Sequence, residues 1–156
     1  MAIAVNEVAP DFELPSSELS DGRPGKKIKL SSFRGKPVVL AFYPLDFSPV
    51  CTNENTCFRN DLDQFNKLGA QVLGISVDSA WCHKAFADSL KLTYPLLADF
   101  QPRGAVAKTF GLFLEDKGIT KRATVLIDKQ GKVAWLKEHD GARSDDELLT
   151  ELRKLA

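Results

Sequence analysis

The feature that most constrains the fold is an unbroken apolar run, Val38–Phe42, in the first third of the chain. A strand with one face in water alternates apolar and polar residues, so five apolar residues in a row indicate a strand that is buried on both faces. Pro44 follows, and because proline cannot donate to a central strand ladder, we expect the strand to end before it. The run therefore predicts a core strand of a sheet with helices on both sides.

Strand-like and helix-like segments alternate through the rest of the chain. Predicted strands after the first lie at residues 72–77, 96–97, 123–128 and 132–136, and predicted helices lie at residues 51–68, 81–90, 105–110 and 146–155. This alternation favours an α/β fold with a mixed, mostly parallel central sheet flanked by helices. The length of 156 residues suits one domain that spans residues 1–156.

Two shorter segments have turn or cap signals. Residues 14–29 are rich in glycine, proline and serine, which predicts a solvent-exposed loop or hairpin. Ser144 and Glu147 have the spacing of a capping box, in which the serine hydroxyl accepts from the third residue of the helix and the glutamate reaches back. The last helix is therefore expected to begin beside Ser144.

Composition excludes several classes of function. The 21 basic and 21 acidic residues cancel, so no charge excess predicts a nucleic-acid or anionic-membrane partner. No stretch approaches the roughly 20 apolar residues of a membrane span, and residues 1–7 lack the basic and apolar regions of an export signal. Three cysteines without an export signal favour reduced thiols, at least one of them reactive, and a cytoplasmic location.

Cys51 is the candidate nucleophile. It comes just after the buried strand, at the predicted start of a helix, where free backbone N–H groups and the helix dipole stabilise a thiolate. Ser48, three residues earlier, offers a hydroxyl that can donate to the thiolate and accept from a substrate O–H. Pro44 would shield the sulfur from water, and Arg122, which opens a later strand, could present a guanidinium at the same end of the sheet. These four residues predict thiol chemistry at the carboxyl edge of the sheet.

The spacing Pro44-x-x-x-Ser48-x-x-Cys51, followed far downstream by Arg122, resembles the active-site signature of the peroxiredoxins. Further segments of the chain resemble family segments in the family's order: Ala9-Pro10-Asp11-Phe12, residues 30–36, residues 74–79 and residues 94–99. Within the family, residues 102–106 and 118–124 are most similar to the alkyl hydroperoxide reductase E class, and the bacterioferritin comigratory class is close behind. The resemblance covers nearly the whole chain and implies a thioredoxin-like fold.

The resemblance also implies a reaction and its residues. Cys51 would attack a peroxide and become a sulfenic acid, while Pro44, Ser48 and Arg122 line the pocket and Glu54 orients Arg122. Most family members have threonine at the position of Ser48, and serine keeps the hydroxyl but loses the methyl group. The implied substrates are hydrogen peroxide, alkyl hydroperoxides and peroxynitrite, with no metal, haem or flavin cofactor.

Two other cysteines could resolve the sulfenic acid. Cys57 lies six residues after Cys51, and because a six-residue step in a helix rises about 9 Å, a disulfide between them would require the helix to unwind. Cys82 lies at the start of the next predicted helix, in a region that in relatives lies near a dimer contact. The third alternative is a cycle with Cys51 alone and an external thiol. No resolving cysteine is expected in a C-terminal tail.

The partners that the resemblance implies are a peroxide, a reductant and a second copy of the chain. The reductant would be thioredoxin, a glutaredoxin-like or mycoredoxin-like protein, or a low-molecular-weight thiol. Phe47 and Trp81, which composition alone would assign to the core, become candidates for the interface of a homodimer.

Two rival functions have a basis in the residues. A thioredoxin-type disulfide oxidoreductase is disfavoured because the chain has no Cys-x-x-Cys pair. A redox sensor or holdase that uses the same oxidisable Cys51 stays open. His83 and His139 do not have zinc-ligand spacing with the cysteines, so the sequence predicts no metal site.

Overall fold

The secondary structure of the protein, taken from a computed structural model, is described for residues 3–141 and 144–155. The strands are β1 (Glu13–Pro15), β2 (Leu19–Ser20), β3 (Arg23–Pro24), β4 (Lys27–Lys29), β5 (Val38–Phe42), β6 (Gln71–Ser76), β7 (Leu96–Ala98), β8 (Phe113–Leu114), β9 (Ile119–Thr120), β10 (Ala123–Ile127) and β11 (Val133–Glu138). The helices are α1 (Pro49–Lys67), α2 (Ala80–Leu90), α3 (Ala105–Thr109) and α4 (Asp146–Arg153). A short 3₁₀ turn, Leu30–Phe33, follows β4.

The central sheet has five strands in the order β11-β10-β5-β6-β7. Strands β5, β6 and β7 are parallel, whereas β10 runs antiparallel to β5 and β11 runs antiparallel to β10. Four of the five strands therefore point the same way, and only β10 opposes them. This arrangement confirms the predicted α/β fold with a mixed, mostly parallel sheet.

Strand β5 is buried on both faces, as its apolar run predicts. Its residues alternate between two cores: Val38, Leu40 and Phe42 join the core that α3 and the N-terminal strands cover. Val39 and Ala41 join the second core, together with side chains of α1, α2 and α4. The sheet thus separates two apolar layers, and its strands are held rigidly from both sides.

The N-terminal segment forms two small antiparallel pairs, β1 with β4 and β2 with β3. The predicted hairpin is therefore present, but the expectation that all of it is solvent-exposed is wrong. Ser16 and Ser17 are buried. Ser17 Oγ accepts a hydrogen bond from the Leu96 N–H at the edge of β7. The segment closes that edge of the sheet instead of extending into solvent.

The start of α4 differs from the predicted capping box. Ser144 Oγ accepts from the N–H of Asp146, two residues on, and the N-cap residue is Asp145. Glu147 forms an ion pair with Lys137 of β11 instead of reaching back to the cap. The apolar face of α4 nevertheless packs on the sheet as expected. Among residues 3–141 and 144–155, the helices include none with the length and apolar character needed to cross a bilayer.

Candidate active site

The candidate active site lies at the carboxyl edge of the parallel strands. Strand β5 ends there at Phe42, and because β10 is antiparallel to β5, the first residue of β10, Ala123, pairs with Phe42. Arg122, one residue before Ala123, is therefore at the same edge as the loop that follows β5. A parallel β10 would have put Arg122 at the opposite end of the sheet.

Cys51 is the third residue of α1 and is fully buried. Ser48 is the N-cap, and its carbonyl accepts the first helical hydrogen bond, from Thr52 N–H at 2.9 Å. Pro49 at the first helical position has no N–H to leave unpaired. Within the part of the chain that the structure describes, no side chain caps this end of α1, so its first N–H groups and its dipole can stabilise negative charge near Cys51.

Arg122 contacts both the thiol and a buried carboxylate. Its Nη1 atom donates a hydrogen bond to Cys51 Sγ at 3.3 Å and forms an ion pair with Glu54 Oε1. The Arg122 side chain is only 12% exposed and that of Glu54 is 1% exposed, so the pair lies almost entirely out of water. Coulomb forces are weakly screened at such a site, and the guanidinium stabilises a thiolate more strongly than it would at the surface.

Ser48 and Pro44 belong to the loop between β5 and α1. Ser48 Oγ donates its proton to the Leu45 carbonyl at 3.0 Å, so this proton is not given to the Cys51 sulfur here, contrary to one role that the sequence suggested. The hydroxyl oxygen can still accept a hydrogen bond from a ligand. Phe47 adopts a positive φ of 66° within this loop, and its ring packs on Phe86 at a centroid distance of 5.0 Å.

A cavity of about 450 Å³ opens beside these residues. Its wall includes Pro44 from the β5–α1 loop and Arg122, together with Lys117, Thr120 and His139 from the strands and loops near β9 and β11. Arg122, whose guanidinium contacts Cys51 Sγ, is part of this wall, and Cys51 itself is not. The cavity is large enough for a small organic ligand at that position.

The three cysteines have different surroundings, and all are free thiols. Cys57 is exposed on α1, whereas Cys51 on the same continuous helix is buried. Although its side chain is exposed, partial desolvation of the thiol, together with the charges of Asp145 and Asp61, raises the pKa of Cys57. A disulfide between Cys51 and Cys57 would thus require α1 to open.

Cys82 is the third residue of α2, the position in its helix that Cys51 has in α1. Cys51 lies beside a cation, whereas Cys82 lies near the carboxylates of Asp46 and Asp78. Burial and these carboxylates raise the pKa of Cys82 to about 12. Its N–H is bound by Ser79 Oγ at 3.1 Å. Of these two helix-start thiols, only Cys51 lies beside a cation.

Sequence reasoning missed a second polar cluster at this edge. His83 is fully buried, with Nδ1 2.7 Å from Asp46 Oδ2 and Nε2 2.9 Å from the Leu97 carbonyl. Asp78 Oδ2 accepts from the Asp46 N–H at 2.8 Å, which joins the β5–α1 loop to the start of α2. Asp46 lies 32 residues from Asp78 and 37 residues from His83, so no spacing signal indicates the cluster.

Two aromatic residues that composition would assign to the core are at the surface. Phe47 is 54% exposed and Trp81 is 65% exposed. They follow the carboxyl ends of β5 and β6, respectively. Their exposure agrees with the alternative expectation of an interface.

The amino-acid sequence matches the model of a known protein family. The AhpC/TSA family model matches residues 5–136, which is most of the chain. The chain belongs to this family and is a peroxiredoxin. It is therefore a thiol-dependent peroxidase, as the family resemblance in its sequence predicts.

Individual relatives agree with the family assignment. The chain is 39% identical to peroxiredoxin-2 of Pongo abelii over 154 residues, which cover 93% of this chain and 84% of the relative. Among solved structures, peroxidoxin BcpB of Mycobacterium tuberculosis has a TM-score of 0.86 and 32% identity, with 97% of both chains covered. The reduced 2-Cys peroxiredoxin of Plasmodium vivax has a TM-score of 0.85 and 32% identity, with 96% of this chain and 80% of that chain covered. The thioredoxin-like fold is thereby confirmed, and similarity to the alkyl hydroperoxide reductase E class stays a prediction.

Proposed function

We propose that Cys51 is the peroxidatic thiol and that it reduces hydrogen peroxide, alkyl hydroperoxides and peroxynitrite through a sulfenic acid. The observation that supports this most directly is the 3.3 Å hydrogen bond from Arg122 Nη1 to Cys51 Sγ. A thiolate is the reactive form of cysteine, and a buried guanidinium together with a helix start stabilises it. Cys57 and Cys82 have raised pKa values and are the weaker candidates.

In the proposed reaction, the Cys51 thiolate attacks the terminal oxygen of the peroxide. The new S–O bond forms as the O–O bond breaks, and two electrons pass from sulfur to the peroxide. The leaving alkoxide or hydroxide takes a proton and departs as an alcohol or water. The Arg122 guanidinium and the Cys51 backbone N–H would stabilise the charge that moves between the oxygens, and Ser48 Oγ would accept the substrate O–H.

The peroxide would reach the sulfur from the cavity beside Pro44 and Arg122. Because this cavity measures about 450 Å³, it has room for the alkyl group of an organic hydroperoxide. Pro44 on the rim would limit the access of water to the sulfur. This geometry supports alkyl hydroperoxides as substrates in addition to hydrogen peroxide.

We further propose that an external thiol reduces the sulfenic acid. The thiol would attack the Cys51 sulfur and release water, which leaves a mixed disulfide. A second thiol would then attack the sulfur of the reductant in this disulfide and release the Cys51 thiolate. Cys57 is separated from Cys51 by an intact helix, and Cys82 is hydrogen-bonded to Asp78. The reductant would be thioredoxin, a glutaredoxin-like or mycoredoxin-like protein, or a low-molecular-weight thiol. Three free thiols also fit a reducing compartment such as the cytoplasm.

Intact-protein mass spectrometry after one equivalent of hydrogen peroxide tests both proposals. We expect the wild type, Cys57→Ser and Cys82→Ser proteins to gain one oxygen, which dimedone traps at Cys51, and Cys51→Ser to gain none. Loss of two hydrogens, abolished by Cys51→Ser and by one other variant, would refute the external-thiol cycle and identify the resolving cysteine. Oxidation that persists in Cys51→Ser at the wild-type rate would refute the role of Cys51.

A homodimer is the proposed assembly. Four of the large apolar side chains that are exposed in the described chain follow the carboxyl ends of neighbouring strands β5, β6 and β7: Leu45, Phe47, Trp81 and Phe100. Exposed apolar groups concentrated at one edge are typical of an interface. Sedimentation should show that Trp81→Glu shifts the protein toward monomer, whereas Val8→Glu, at an equally exposed apolar residue elsewhere, does not. A wild-type monomer at micromolar concentration would contradict this.

A further inference from the structure

The core-facing stripe of α1 contains a buried amide in its second turn. The buried residues of this helix are Cys51, Glu54, Asn55, Phe58 and Phe65, at the spacing of a face that packs against the core. Asn55 is only 2% exposed, although asparagine is a weaker helix former than leucine or alanine. A buried amide is also unfavourable unless both of its ends are hydrogen-bonded. Apolar packing alone does not account for Asn55, so its hydrogen bonds indicate its role.

Both ends of the Asn55 amide are bound, and each contacts a different part of the fold. Asn55 Nδ2 donates to the Cys51 carbonyl at 2.9 Å, and because a carbonyl can only accept, the amide nitrogen is the atom that faces Cys51. Asn55 Oδ1 accepts from the Tyr94 hydroxyl at 2.6 Å, and the same hydroxyl lies 3.2 Å from the Asn55 backbone carbonyl. The amide thus connects the peptide of Cys51 to a residue 39 positions after Asn55.

Tyr94 is a fixed partner for this amide. It is 3% exposed and lies two residues before β7, the edge strand of the central sheet. Its ring packs against Phe58 of α1 with the centroids 6.3 Å apart, at an interplanar angle of 72°. Glu54, the residue before Asn55, pairs with Arg122 at the start of β10. The second turn of α1 is therefore attached to the sheet on two sides.

The contact with Tyr94 opposes any unwinding of α1 between Cys51 and Cys57. A disulfide between these cysteines needs Cα atoms within about 7 Å, whereas six helical residues rise by about 9 Å. Asn55 lies between the two cysteines, so it must leave its helical position before they can join. That movement would separate Asn55 from the Cys51 carbonyl and from the buried Tyr94 hydroxyl, and polar groups left unpaired in a core are unfavourable.

We propose that Asn55 and Tyr94 are positioning residues that form a clasp on the start of α1 and slow the approach of Cys57 to oxidised Cys51. This inference rests on the proposed function, because it concerns the thiol that would form the sulfenic acid. With the clasp closed, Cys51 stays at the helix start and an external thiol is the available reductant.

With the clasp open, a second reaction becomes possible. The Cys57 thiol would attack the Cys51 sulfur, so that an S–S bond forms as the S–O bond of the sulfenic acid breaks. The oxygen takes the proton of the Cys57 thiol and leaves as water. The clasp would thus set the balance between the external-thiol cycle and an internal disulfide.

Hydrogen exchange of the reduced protein, followed by mass spectrometry, tests the clasp without using the peroxidase reaction. Tyr94→Phe keeps the ring and removes only the hydroxyl, and we expect the amides of residues 52–57 to exchange about tenfold faster in it than in the wild type. Amides of β5 should exchange at the wild-type rate, which distinguishes local opening from a general loss of stability. Unchanged exchange of residues 52–57 in Tyr94→Phe would overturn the proposal.

Thr56→Val is the matched control for this measurement. It removes a hydrogen bond of the same kind, from Thr56 Oγ1 to the Thr52 carbonyl at 2.9 Å, but this bond stays within the helix. Exchange of residues 52–57 should therefore stay within about threefold of the wild type. An effect as large as that of Tyr94→Phe would show that any side-chain bond on α1 has this influence, and it would refute the specific role of the clasp.

A double-mutant cycle shows whether the two residues act as one unit. Asn55→Leu removes the amide, so adding Tyr94→Phe to it should change the exchange of residues 52–57 by less than about twofold. If Tyr94→Phe has the same effect in both backgrounds, Tyr94 acts on α1 without Asn55 and the clasp is refuted.

The rate at which the Cys51–Cys57 disulfide forms after one equivalent of hydrogen peroxide measures the effect on Cys57, in proteins that carry Cys82→Ser. Tyr94→Phe should form it about tenfold faster than the Cys82→Ser parent, and Thr56→Val within about threefold of that parent. Equal amounts in Tyr94→Phe and the parent, including none in either, would overturn the effect on Cys57. Absence of oxidation at Cys51 in all of these proteins would refute the proposed function instead, and hydrogen exchange would still decide whether the clasp exists.

Discussion

Replacing Arg122 by glutamine should slow the oxidation of Cys51 by about 30- to 150-fold. Two unit charges separated by 3.3 Å attract by about 5 kcal/mol at an effective dielectric constant of about 20. The guanidinium charge is delocalised and Glu54 partly offsets it, so the net effect is closer to the roughly 2–3 kcal/mol of a charged hydrogen bond. Each 1.36 kcal/mol corresponds to about tenfold in rate. The rate of thiol loss under excess hydrogen peroxide at pH 7 measures it directly.

Lys121→Gln is the matched control for this prediction. It removes the same charge one residue away, where Lys121 is more exposed and pairs with Glu138 at 3.2 Å. A surface pair of this kind contributes roughly 0.65 kcal/mol, so the oxidation rate of Cys51 should stay within threefold of wild type. Circular dichroism establishes that the variants are folded. If Arg122→Gln does not fold, Arg122→Lys, which keeps the charge but loses the planar fork, should still be slowed. Wild-type rates in a folded Arg122 variant would refute the electrostatic argument.

Two further predictions concern the buried carboxylate of Glu54 and the half-buried thiol of Cys82. Glu54→Gln should lower the free energy of unfolding by about 3 kcal/mol, because it leaves the Arg122 cation without its buried partner. Glu147→Gln removes a charge from an exposed ion pair and should lower it by less than about 1 kcal/mol. Urea titration measures both free energies, and equal effects would contradict the prediction for Glu54. At pH 8, iodoacetamide should label Cys82 at least a hundredfold more slowly in folded than in urea-unfolded Cys51→Ser/Cys57→Ser protein, because its pKa is raised to about 12 and only the thiolate reacts. The rate should increase with pH up to about that value, and equal labelling in the two states would disprove the carboxylate effect.

The sequence predicted the parts of the molecule that depend on local pattern. The Val38–Phe42 run became a strand buried on both faces, because each of its two side-chain directions meets an apolar layer. The apolar period after Cys51 became α1, which ends before the positive-φ Gly69. Arg122 could be suggested for this edge from its position at the start of a strand, but local sequence does not give the direction of that strand, and the placement depends on β10 being antiparallel to β5.

Contacts between distant segments and competing hydrogen bonds account for what was missed. The Asp46, Asp78 and His83 cluster forms only when the ends of β5 and β6 and the first turn of α2 come together, and neither aspartate has a distinctive spacing from His83. The capping box at Ser144 fails because Glu147 finds Lys137 on the neighbouring strand. A tertiary partner there outcompetes a local one.

Cys51 and Cys82 show how far the helix start alone determines thiol reactivity. Each is the third residue of a helix that follows a parallel strand. The backbone N–H groups and the helix dipole therefore stabilise a thiolate at both positions. That influence is worth at most about 2 kcal/mol, and it does not prevent the carboxylates near Cys82 from raising its pKa to about 12. What distinguishes the two thiols is the side chains that other segments bring to them: a guanidinium from the start of antiparallel β10 contacts Cys51, and the Asp46 and Asp78 carboxylates lie near Cys82. Strand direction therefore decides which of the two thiols lies beside a guanidinium, and this placement supports the proposal that Cys51 is the thiol that reacts with the peroxide.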